Sequence, residues 1–366
     1  MNGNNTLFED NIAVVEKIKS IRLEALKKRI KYGLEAIKRP ISYWIKEDRL
    51  RDEIGKEFTI ILRSKGCSWG ANEHGGCSMC GYYLDAINEE VSTSHLINQF
   101  DYAYNNKLNE IKQDPYNYIF KIYNSGSFLD EDEIPQEART YIYEKVSKVE
   151  KVKEFVIESR LEYITVEKLE EIREFFDKKY FEIAIGLETI DDYIRNNYIN
   201  KGVVFKDFKS TLKRLKEYNI GVRVYLLLKP PFMNEQAAID DCSQSIKKLV
   251  ELNVNSISIN PLNIQKGTLT EYLWFQNRYR PPWFYSLFKC LKKSLTQENL
   301  KNTRILSDPS GAGSKRGIHN CLKKECEISA KERLKHFVLS QDLNALDQNG
   351  YECTCKKKYS LKKDFY

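Results

Sequence analysis

The sequence predicts an α/β protein whose main body is a partial, TIM-like (β/α)6 barrel. Six short apolar or β-branched runs alternate with amphipathic helical stretches, and repeats of roughly 30–40 residues are typical of βα units around a parallel sheet. A doubly wound open sheet is the competing architecture. A basic helical segment comes before the units and a small cysteine-rich segment comes after them.

The chain has 366 residues, enough for one large domain with extensions. We expect a basic N-terminal helical extension over residues 1–50, the barrel over 51–305, and a basic Cys/His metal-binding module over 306–366. In the extension, apolar positions such as Val15, Ile18 and Ile21 recur at helical spacing from residue 12 to residue 40.

The six runs predict the strands of the barrel, and the stretches between them predict its helices. In parallel barrels, functional residues collect where strands end and loops begin. The predicted strands are 58–64, 118–124, 153–159, 181–189, 221–229 and 256–262, and clear helical stretches lie at 166–179, 205–218 and 235–253.

Composition excludes several classes of protein. The sequence contains no apolar run of about 18 residues, so we expect no membrane span, and its N-terminus lacks the pattern of a signal peptide. We therefore expect a cytoplasmic protein with reduced thiols, and nine cysteines is an odd number for a disulfide framework. The net charge of +7 permits a polyanionic partner without demanding one.

The first cysteine cluster follows the first predicted strand directly. Cys67, Cys77 and Cys80 have the spacing C-x9-C-x2-C, and His74 lies between them. The spacing alone leaves two interpretations open. Zinc would take the three thiolates with His74 as its fourth ligand, whereas a four-iron cluster held by three cysteines keeps one iron open. The neighbouring glycines and the position after a strand favour the cluster.

Together with these cysteines, further motifs resemble the radical S-adenosylmethionine (SAM) superfamily. Within it, the sequence is similar to the family of the radical SAM subunit of archaeosine synthase (RaSEA). The nine residues between Cys67 and Cys77 depart from the commoner C-x3-C-x2-C spacing of the superfamily, but this longer interval suits the subgroup. The motifs are ILRSKGCSW, GGCSMCGY, NSGSFLD, ESRLEYIT, IGLET, YLLLKPPF, NPLNIQKGT and the final HNC…CTC segment.

The resemblance implies a radical SAM barrel with a [4Fe–4S] cluster and SAM as cofactors. Cys67, Cys77 and Cys80 would ligate the cluster. The other residues carried over lie at strand ends and would contact SAM. Its methionine amino group would meet Ser125, Gly126 and Ser127, its ribose or carboxylate would meet Glu158, Arg160 and Glu188, and its adenine would lie near Pro261 and Asn263.

Charged residues at strand ends also have a simpler interpretation, because many of them only form ion pairs. Arg223 and Lys229 flank the fifth predicted strand. They would pair with a carboxylate of SAM or substrate, or with Glu158 or Glu188. Lys201 is expected on the surface.

The second cysteine cluster offers a further metal site. Cys321, Cys326, Cys353 and Cys355 can form a closed tetrahedral zinc site, with His319 as an alternative ligand. A second iron–sulfur cluster and plain reduced thiols remain open. Lysines surround these residues, and Tyr359, Phe365 and Tyr366 are interleaved with them, a composition that suits RNA phosphates and unpaired bases. A solvated basic tail is the alternative.

The resembled family acts on tRNA. It cleaves a C–N bond of a lysine-adducted 7-cyano-7-deazaguanine to give archaeosine, with a lysine-transferring alpha subunit as partner and an external electron donor. We expect the same of this chain, as a C–N bond-cleaving lyase. Two alternatives are another radical SAM enzyme that acts on a different tRNA base or small molecule, and a non-catalytic, zinc-bound RNA-binding protein.

Overall fold

The structure, a computed structural model, describes residues 12–27, 33–87, 91–347 and 351–365. Parts of the predicted N-terminal extension, residues 1–11 and 28–32, lie outside the described residues, as does Tyr366 of the predicted RNA-binding tail. All six predicted strands are present in a single curled sheet with the order β1 to β8. Its strands are β1 Ser42–Arg49, β2 Ile54–Ile61, β3 Tyr118–Tyr123, β4 Val152–Glu158, β5 Tyr180–Glu188, β6 Gly221–Leu228, β7 Ser256–Pro261 and β8 Arg304–Leu306.

Helices alternate with the strands, as the sequence predicts for βα units. The predicted helix over 12–40 begins as α1, which ends at Leu26. The α-helices are α1 Ile12–Leu26, α2 Leu34–Ile37, α3 Ser68–Ala71, α4 Thr93–Gln113, α5 Gln136–Ser147, α6 Val166–Phe175, α7 Phe205–Glu217, α8 Glu235–Glu251, α9 Leu269–Phe275, α10 Phe284–Ser294, α11 Asn299–Asn302, α12 Lys324–Ser340 and α13 Cys355–Lys362.

Two strands extend the predicted sheet at its edges. β1 pairs antiparallel with β2, and β8 adds three residues parallel to β7. Side chains join the two edges: Arg304 of β8 donates to the Arg49 carbonyl of β1 at 3.1 Å. Lys335 of α12 pairs with Glu47 of β1 at 3.0 Å. The half-barrel is therefore bridged between its first and last strands.

The outer face of the sheet forms the main hydrophobic core under the helices. Phe58, Phe120, Phe155 and Phe181 lie on neighbouring strands and pack edge to face, with successive ring centroids 4.9, 5.5 and 5.2 Å apart. Such contacts are favourable beyond the area they bury. α12 adds residues such as Phe337 to the same core, so the C-terminal segment packs directly on the barrel.

The inner face of the sheet is polar and charged. On β6, Arg223 and Tyr225 face an internal cavity, while the alternate residues Val222 and Val224 belong to the outer core. This alternation follows from the period of two in a strand. Near the amino-terminal ends of the strands, Glu182 pairs with both Arg223 and Arg304. Charged side chains thus fill the inside of the half-barrel at the amino-terminal ends of its strands, and we call this region the floor. The open space toward the carboxyl-terminal ends is the upper chamber.

Candidate active site

A cavity of about 900 Å³ occupies the upper chamber, where the strands end and their loops begin. Every barrel residue that the sequence assigns to cluster or SAM lies on its wall except Ser127, which is fully buried behind it. The residues brought together are Cys67, Cys77, Cys80, Ser125, Gly126, Glu158, Arg160, Glu188, Pro261 and Asn263.

The three cysteines lie on the loop between β2 and α4, which we call the cluster loop (residues 64–87). Cys67 starts the short helix α3, and the Gly70 N–H donates to its carbonyl at 2.9 Å. Gly75 and Gly76 then reverse the chain with φ values of +73° and +76°. Only glycine adopts this left-handed conformation without strain, so the loop returns Cys77 and Cys80 to the cavity.

The donor set fits a four-iron cluster better than one zinc ion. In the described part of the chain, one group of donors is compact enough to share a single ion, with all ligand atoms within 4.8 Å, and that group lies in the C-terminal module. A [4Fe–4S] cluster is larger and binds each thiolate on a separate iron. Three spread cysteines that face a large cavity therefore suit such a cluster.

Burial favours the neutral thiol at two of these cysteines. It raises the pKa of Cys67 and raises the pKa of Cys80 to about 12. A bound iron replaces the thiol proton and removes this penalty. His74, the candidate fourth zinc ligand, instead stacks its ring on Trp69 with centroids 4.9 Å apart. Its position supports the loop rather than a compact ion site.

The Ser125–Ser127 turn is held from behind by Glu133, a residue that the sequence reasoning missed. Glu133 accepts hydrogen bonds from the Ser127 N–H at 2.9 Å and from the Asn124 side chain at 2.7 Å. A Cβ on Gly126 would lie 1.8 Å from its carboxylate, which explains the glycine. Burial raises the pKa of Glu133 well above its usual value. The turn therefore presents backbone to the cavity on a fixed support.

Two carboxylates on neighbouring strands and one ammonium from the loop after β5 face the cavity. Burial raises the pKa of Glu158 to about 7, although the backbone N–H groups of Asn124 and Ser125 oppose this shift. Glu188 pairs with Lys201 at 2.8 Å. The expectation that Lys201 lies on the surface is wrong: its side chain is only 13% exposed, because it returns from the loop after β5 to Glu188 at the end of that strand.

The cations of β6 have other partners than those expected. Arg223 lies 2.7 Å from a Glu182 oxygen, and Lys229 lies 2.6 Å from a Glu235 oxygen. The predicted pairs with Glu158 or Glu188 are therefore wrong, because the buried Glu182 lies next to Arg223 and the buried Glu235 lies next to Lys229. Arg223 still borders the cavity, whereas Lys229 lines a smaller one of about 270 Å³ nearby.

The C-terminal cysteines form a second donor group. The sulfurs of Cys321 and Cys353 are 3.7 Å apart, and those of Cys326 and Cys355 are 3.8 Å apart. A tetrahedron with Zn–S bonds of about 2.3 Å has sulfur–sulfur edges of about 3.8 Å. Among the described residues, His319 is outside this group. Its Nδ1 lies 2.7 Å from the Gly317 carbonyl, and burial lowers its pKa to about 4.

The model of the radical SAM superfamily matches residues 61–243. The matched region begins at the end of β2, contains the whole cluster loop, and continues through β6 into α8. The chain belongs to the radical SAM superfamily.

This radical SAM chain is also similar to curated relatives over nearly its whole length. It is 37% identical to the archaeosine synthase subunit beta of Methanosarcina acetivorans, over 91% of this chain and 92% of that protein. It is 37% identical to the protein of the same name from Thermococcus kodakarensis, over 87% and 96%. An uncharacterised protein of Methanocaldococcus jannaschii is 40% identical over 96% and 93%.

Solved structures resemble the radical SAM chain over part of its length. An N-terminally truncated Elp3 protein of Methanocaldococcus infernus has a TM-score of 0.47 at 11% identity, over 67% of this chain and 59% of that chain. SAM-bound SuiB of Streptococcus suis has a TM-score of 0.46 at 13% identity, over 70% and 50%.

Membership in the superfamily identifies the chain as a radical SAM enzyme and implies a [4Fe–4S] cluster with SAM. The cavity is lined by the three cysteines of the cluster loop and by polar side chains at the strand ends. No helix in the described ranges is long and apolar enough to cross a membrane.

Proposed function

We propose that this radical SAM enzyme takes part in archaeosine formation and cleaves a C–N bond of a lysine-adducted 7-cyano-7-deazaguanine in tRNA. The observation that carries the proposal is 37% identity to two proteins named archaeosine synthase subunit beta. The aligned regions cover more than nine tenths of both relatives. No large domain of those relatives therefore lacks a counterpart in this chain.

When bound, a [4Fe–4S] cluster would supply the electron for reductive cleavage of SAM, the chemistry that leads to removal of a hydrogen atom from the substrate. The role of the protein is to bind, to orient and to exclude water. We assign cluster ligation to Cys67, Cys77 and Cys80. Their common loop faces the wall on which the SAM contacts lie.

The SAM contacts are assigned by their places on this wall. Ser125 and Gly126 follow β3 and would receive the methionine amino group. Glu158 and Glu188 end β4 and β5, Arg160 follows β4, and these three would meet the ribose or carboxylate. Pro261 ends β7, Asn263 follows it, and both would border the adenine. Ser127 acts differently. Its hydroxyl accepts a hydrogen bond from the backbone N–H of Arg160 at 3.1 Å, so it would position the turn rather than contact SAM.

The remaining cavity suits the lysine-bearing part of the substrate. Beyond the SAM wall it extends to Trp44 on β1 and Lys335 on α12, and its floor contains the buried ammonium of Lys121. Lys121 pairs with Asp48 at 2.6 Å and also with Glu57. A floor with both signs of charge complements the ammonium and carboxylate of an amino acid.

We assign structural zinc to the four C-terminal cysteines. Their sulfur separations agree with tetrahedral Zn–S geometry, as described above. The group joins α12 to α13 and packs against Trp283 beside α10. Structural zinc sites are closed by four protein ligands, so this site would stabilise the module rather than take part in catalysis.

The basic C-terminal module supports tRNA as the substrate carrier. Three lysines, 356–358, lie exposed on α13, and Phe365 beyond it is 80% exposed. Such side chains can bind phosphates and stack on unpaired bases. Tyr359 does not share this role. It is buried against Trp283 with ring centroids 5.7 Å apart, so its prediction as a stacking residue is wrong.

Aromatic side chains beside the cluster loop offer a second RNA contact. Tyr193 and Phe232 are 54% and 49% exposed, and both pack edge-on against Tyr198. Phe232 holds a φ of +70°, an unusual backbone for an aromatic residue that occurs mostly at functional sites. The Tyr198 carbonyl accepts from the Ser78 hydroxyl at 2.7 Å, which ties this aromatic group to the cluster loop.

Two protein partners follow from the proposed role. A lysine-transferring archaeosine synthase alpha subunit would supply the modified tRNA, and an external one-electron donor would reduce the cluster. The names of the relatives support a subunit within a larger enzyme.

Activity on the modified tRNA tests the proposed function. The anaerobically reconstituted protein, SAM, a reductant and lysine-adducted tRNA should yield 5′-deoxyadenosine and archaeosine in equal amounts. The Cys77→Ser variant should yield neither. Release of 5′-deoxyadenosine without archaeosine would reject this substrate and favour a different base or small molecule. A colourless wild-type protein that contains zinc and no iron would reject the enzyme in favour of an RNA-binding protein.

A further inference from the structure

Arg22 is a buried cation outside the barrel that lies against the cluster loop. It belongs to α1, the basic N-terminal helix, yet its side chain is only 7% exposed. Ile18, one turn earlier on the same face, belongs to the small apolar cluster against which Cys77 and Met79 pack. The helix therefore turns one apolar and one cationic position toward the cysteines, while most of its other cations stay at least partly exposed.

The Arg22 guanidinium joins three separate points of the cluster loop. Nη1 donates to the Gly70 carbonyl at 3.2 Å, and Nη2 donates to the carbonyls of Cys77 and Cys80 at 3.3 and 3.2 Å. Two of these carbonyls belong to proposed cluster ligands. A lysine could not make this fork of bonds, because its ammonium is a single point donor.

The glycines of the loop make room for this side chain. A Cβ on Gly76 would lie 2.5 Å from Arg22 Nη1, and a Cβ on Gly70 would lie 3.0 Å from the same atom. Further along, a Cβ on Gly267 would lie 2.7 Å from the Ala25 Cβ of α1. Close packing of α1 thus depends on glycines in two loops that face it, the cluster loop and the loop before α9.

Charge gives the contact a second consequence. Among the described residues, no carboxylate forms an ion pair with Arg22, whereas Arg160 and Lys201 near the cysteines pair with Glu162 and Glu188. A buried cation without a counter-ion is costly. The thiolates of the loop, and the cluster they would hold, supply the missing negative charge, and that charge increases by one when the cluster accepts an electron.

We propose that Arg22 positions the cluster loop and raises the midpoint potential of the [4Fe–4S] cluster. The fork of hydrogen bonds fixes the carbonyls of Cys77 and Cys80. The uncompensated positive charge stabilises the reduced cluster relative to the oxidised one. This inference rests on the proposed ligation by Cys67, Cys77 and Cys80.

Redox titration and iron release test Arg22 without use of catalytic activity. Arg22→Gln removes the charge and should shift the midpoint potential, measured by electron paramagnetic resonance, to a more negative value. Arg22→Lys keeps the charge but loses the fork. It should keep a potential near that of the wild type and release iron to a chelator several-fold faster. Lys27→Gln, an exposed cation just after α1, is the matched control and should change neither quantity.

The outcomes separate this inference from the proposed function. A wild-type protein without a cluster spectrum would reject the ligation itself. Equal potentials and equal iron-release rates in the wild type, Arg22→Gln and Arg22→Lys would overturn the role of Arg22 and leave the ligation intact. If Arg22→Gln does not fold, Arg22→Lys decides, and unchanged iron release in that variant would overturn the proposal.

Discussion

Single residues at the strand ends hold unusual backbone conformations where the cavity is built. Ser125, Glu188 and Lys229 follow or end β3, β5 and β6, and their φ values are +59°, +69° and +66°. Left-handed backbone is uncommon for residues other than glycine, and it persists where the surroundings fix it. Ser125 and Glu188 turn the chain sharply at the wall of the main cavity, and Lys229 does so beside the smaller one.

At this scale, Glu158 predicts a pH dependence of SAM affinity. Its pKa of about 7 means that the carboxyl is protonated below that pH and ionised above it. SAM carries a positive sulfonium and should prefer the ionised form. Affinity should therefore be full above pH 7 and decrease by up to about tenfold per pH unit below it. Anaerobic calorimetry between about pH 6 and pH 8 measures this slope.

The Glu158→Gln variant provides the control for that titration. It keeps the size and the hydrogen-bonding capacity of the side chain but cannot ionise. Any slope that remains in the variant belongs to other groups, such as the amino group of SAM. An identical pH profile in both proteins would remove Glu158 from the SAM site.

Elements with strong apolar patterns were predictable, whereas short or charged ones were not. β2 to β7 carry buried residues at alternate or successive positions, so their apolar runs are evident in the sequence. β1 is half-exposed and contains Lys46, Glu47 and Asp48, which hide its strand character. β8 has three residues, too few for a periodic signal. The sequence therefore does not predict β1, because it is a half-exposed edge strand, or β8, because it is too short.

The C-terminal module gives a prediction at the scale of elements. Purified protein should contain about one zinc per chain in addition to the iron of the cluster. The Cys353→Ser variant should lose the zinc and unfold about 5 °C lower or more, because the link between α12 and α13 is lost. Metal analysis by plasma mass spectrometry and thermal unfolding measure the two effects.

Cys242→Ala is the matched control, because Cys242 is a buried thiol outside the donor group. It should retain zinc. Wild-type protein with about eight iron atoms and no zinc would instead indicate a second iron–sulfur cluster. Protein with neither zinc nor additional iron would indicate plain reduced thiols.

At the scale of the whole molecule, the two edges of the half-barrel are bridged. Some of its exposed cations lie outside the active site, on the C-terminal segment. The predicted C-terminal segment is not loosely attached: Leu334 and Phe337 of α12 belong to the main core. Deletion of this segment would therefore expose the core and could not isolate an RNA-binding role. Substitution of exposed lysines avoids this problem.

Binding of tRNA should depend on salt in proportion to the lysines that contact phosphate. Replacement of Lys356, Lys357 and Lys358 by Gln should weaken binding and reduce the slope of log affinity against log salt by about 0.7–0.9 per lost contact. Filter binding at several salt concentrations measures the slope. The control replaces Lys153 and Lys178, which are exposed at the opposite end of the barrel, and should have little effect. Equal slopes in both variants would exclude this module from the interface.

By itself, the sequence determined the six central strands, the loop with Cys67, Cys77 and Cys80, and the pairs of C-terminal cysteines. Each is a local pattern: alternation, spacing, or position after a strand. The tertiary structure decided which partners distant residues have. It paired Lys201 with Glu188 and Arg223 with Glu182, placed Glu133 behind Gly126 and brought Arg22 to the cluster loop. The last of these contacts joins residues 58 positions apart, and no local periodicity encodes a contact that packing alone creates.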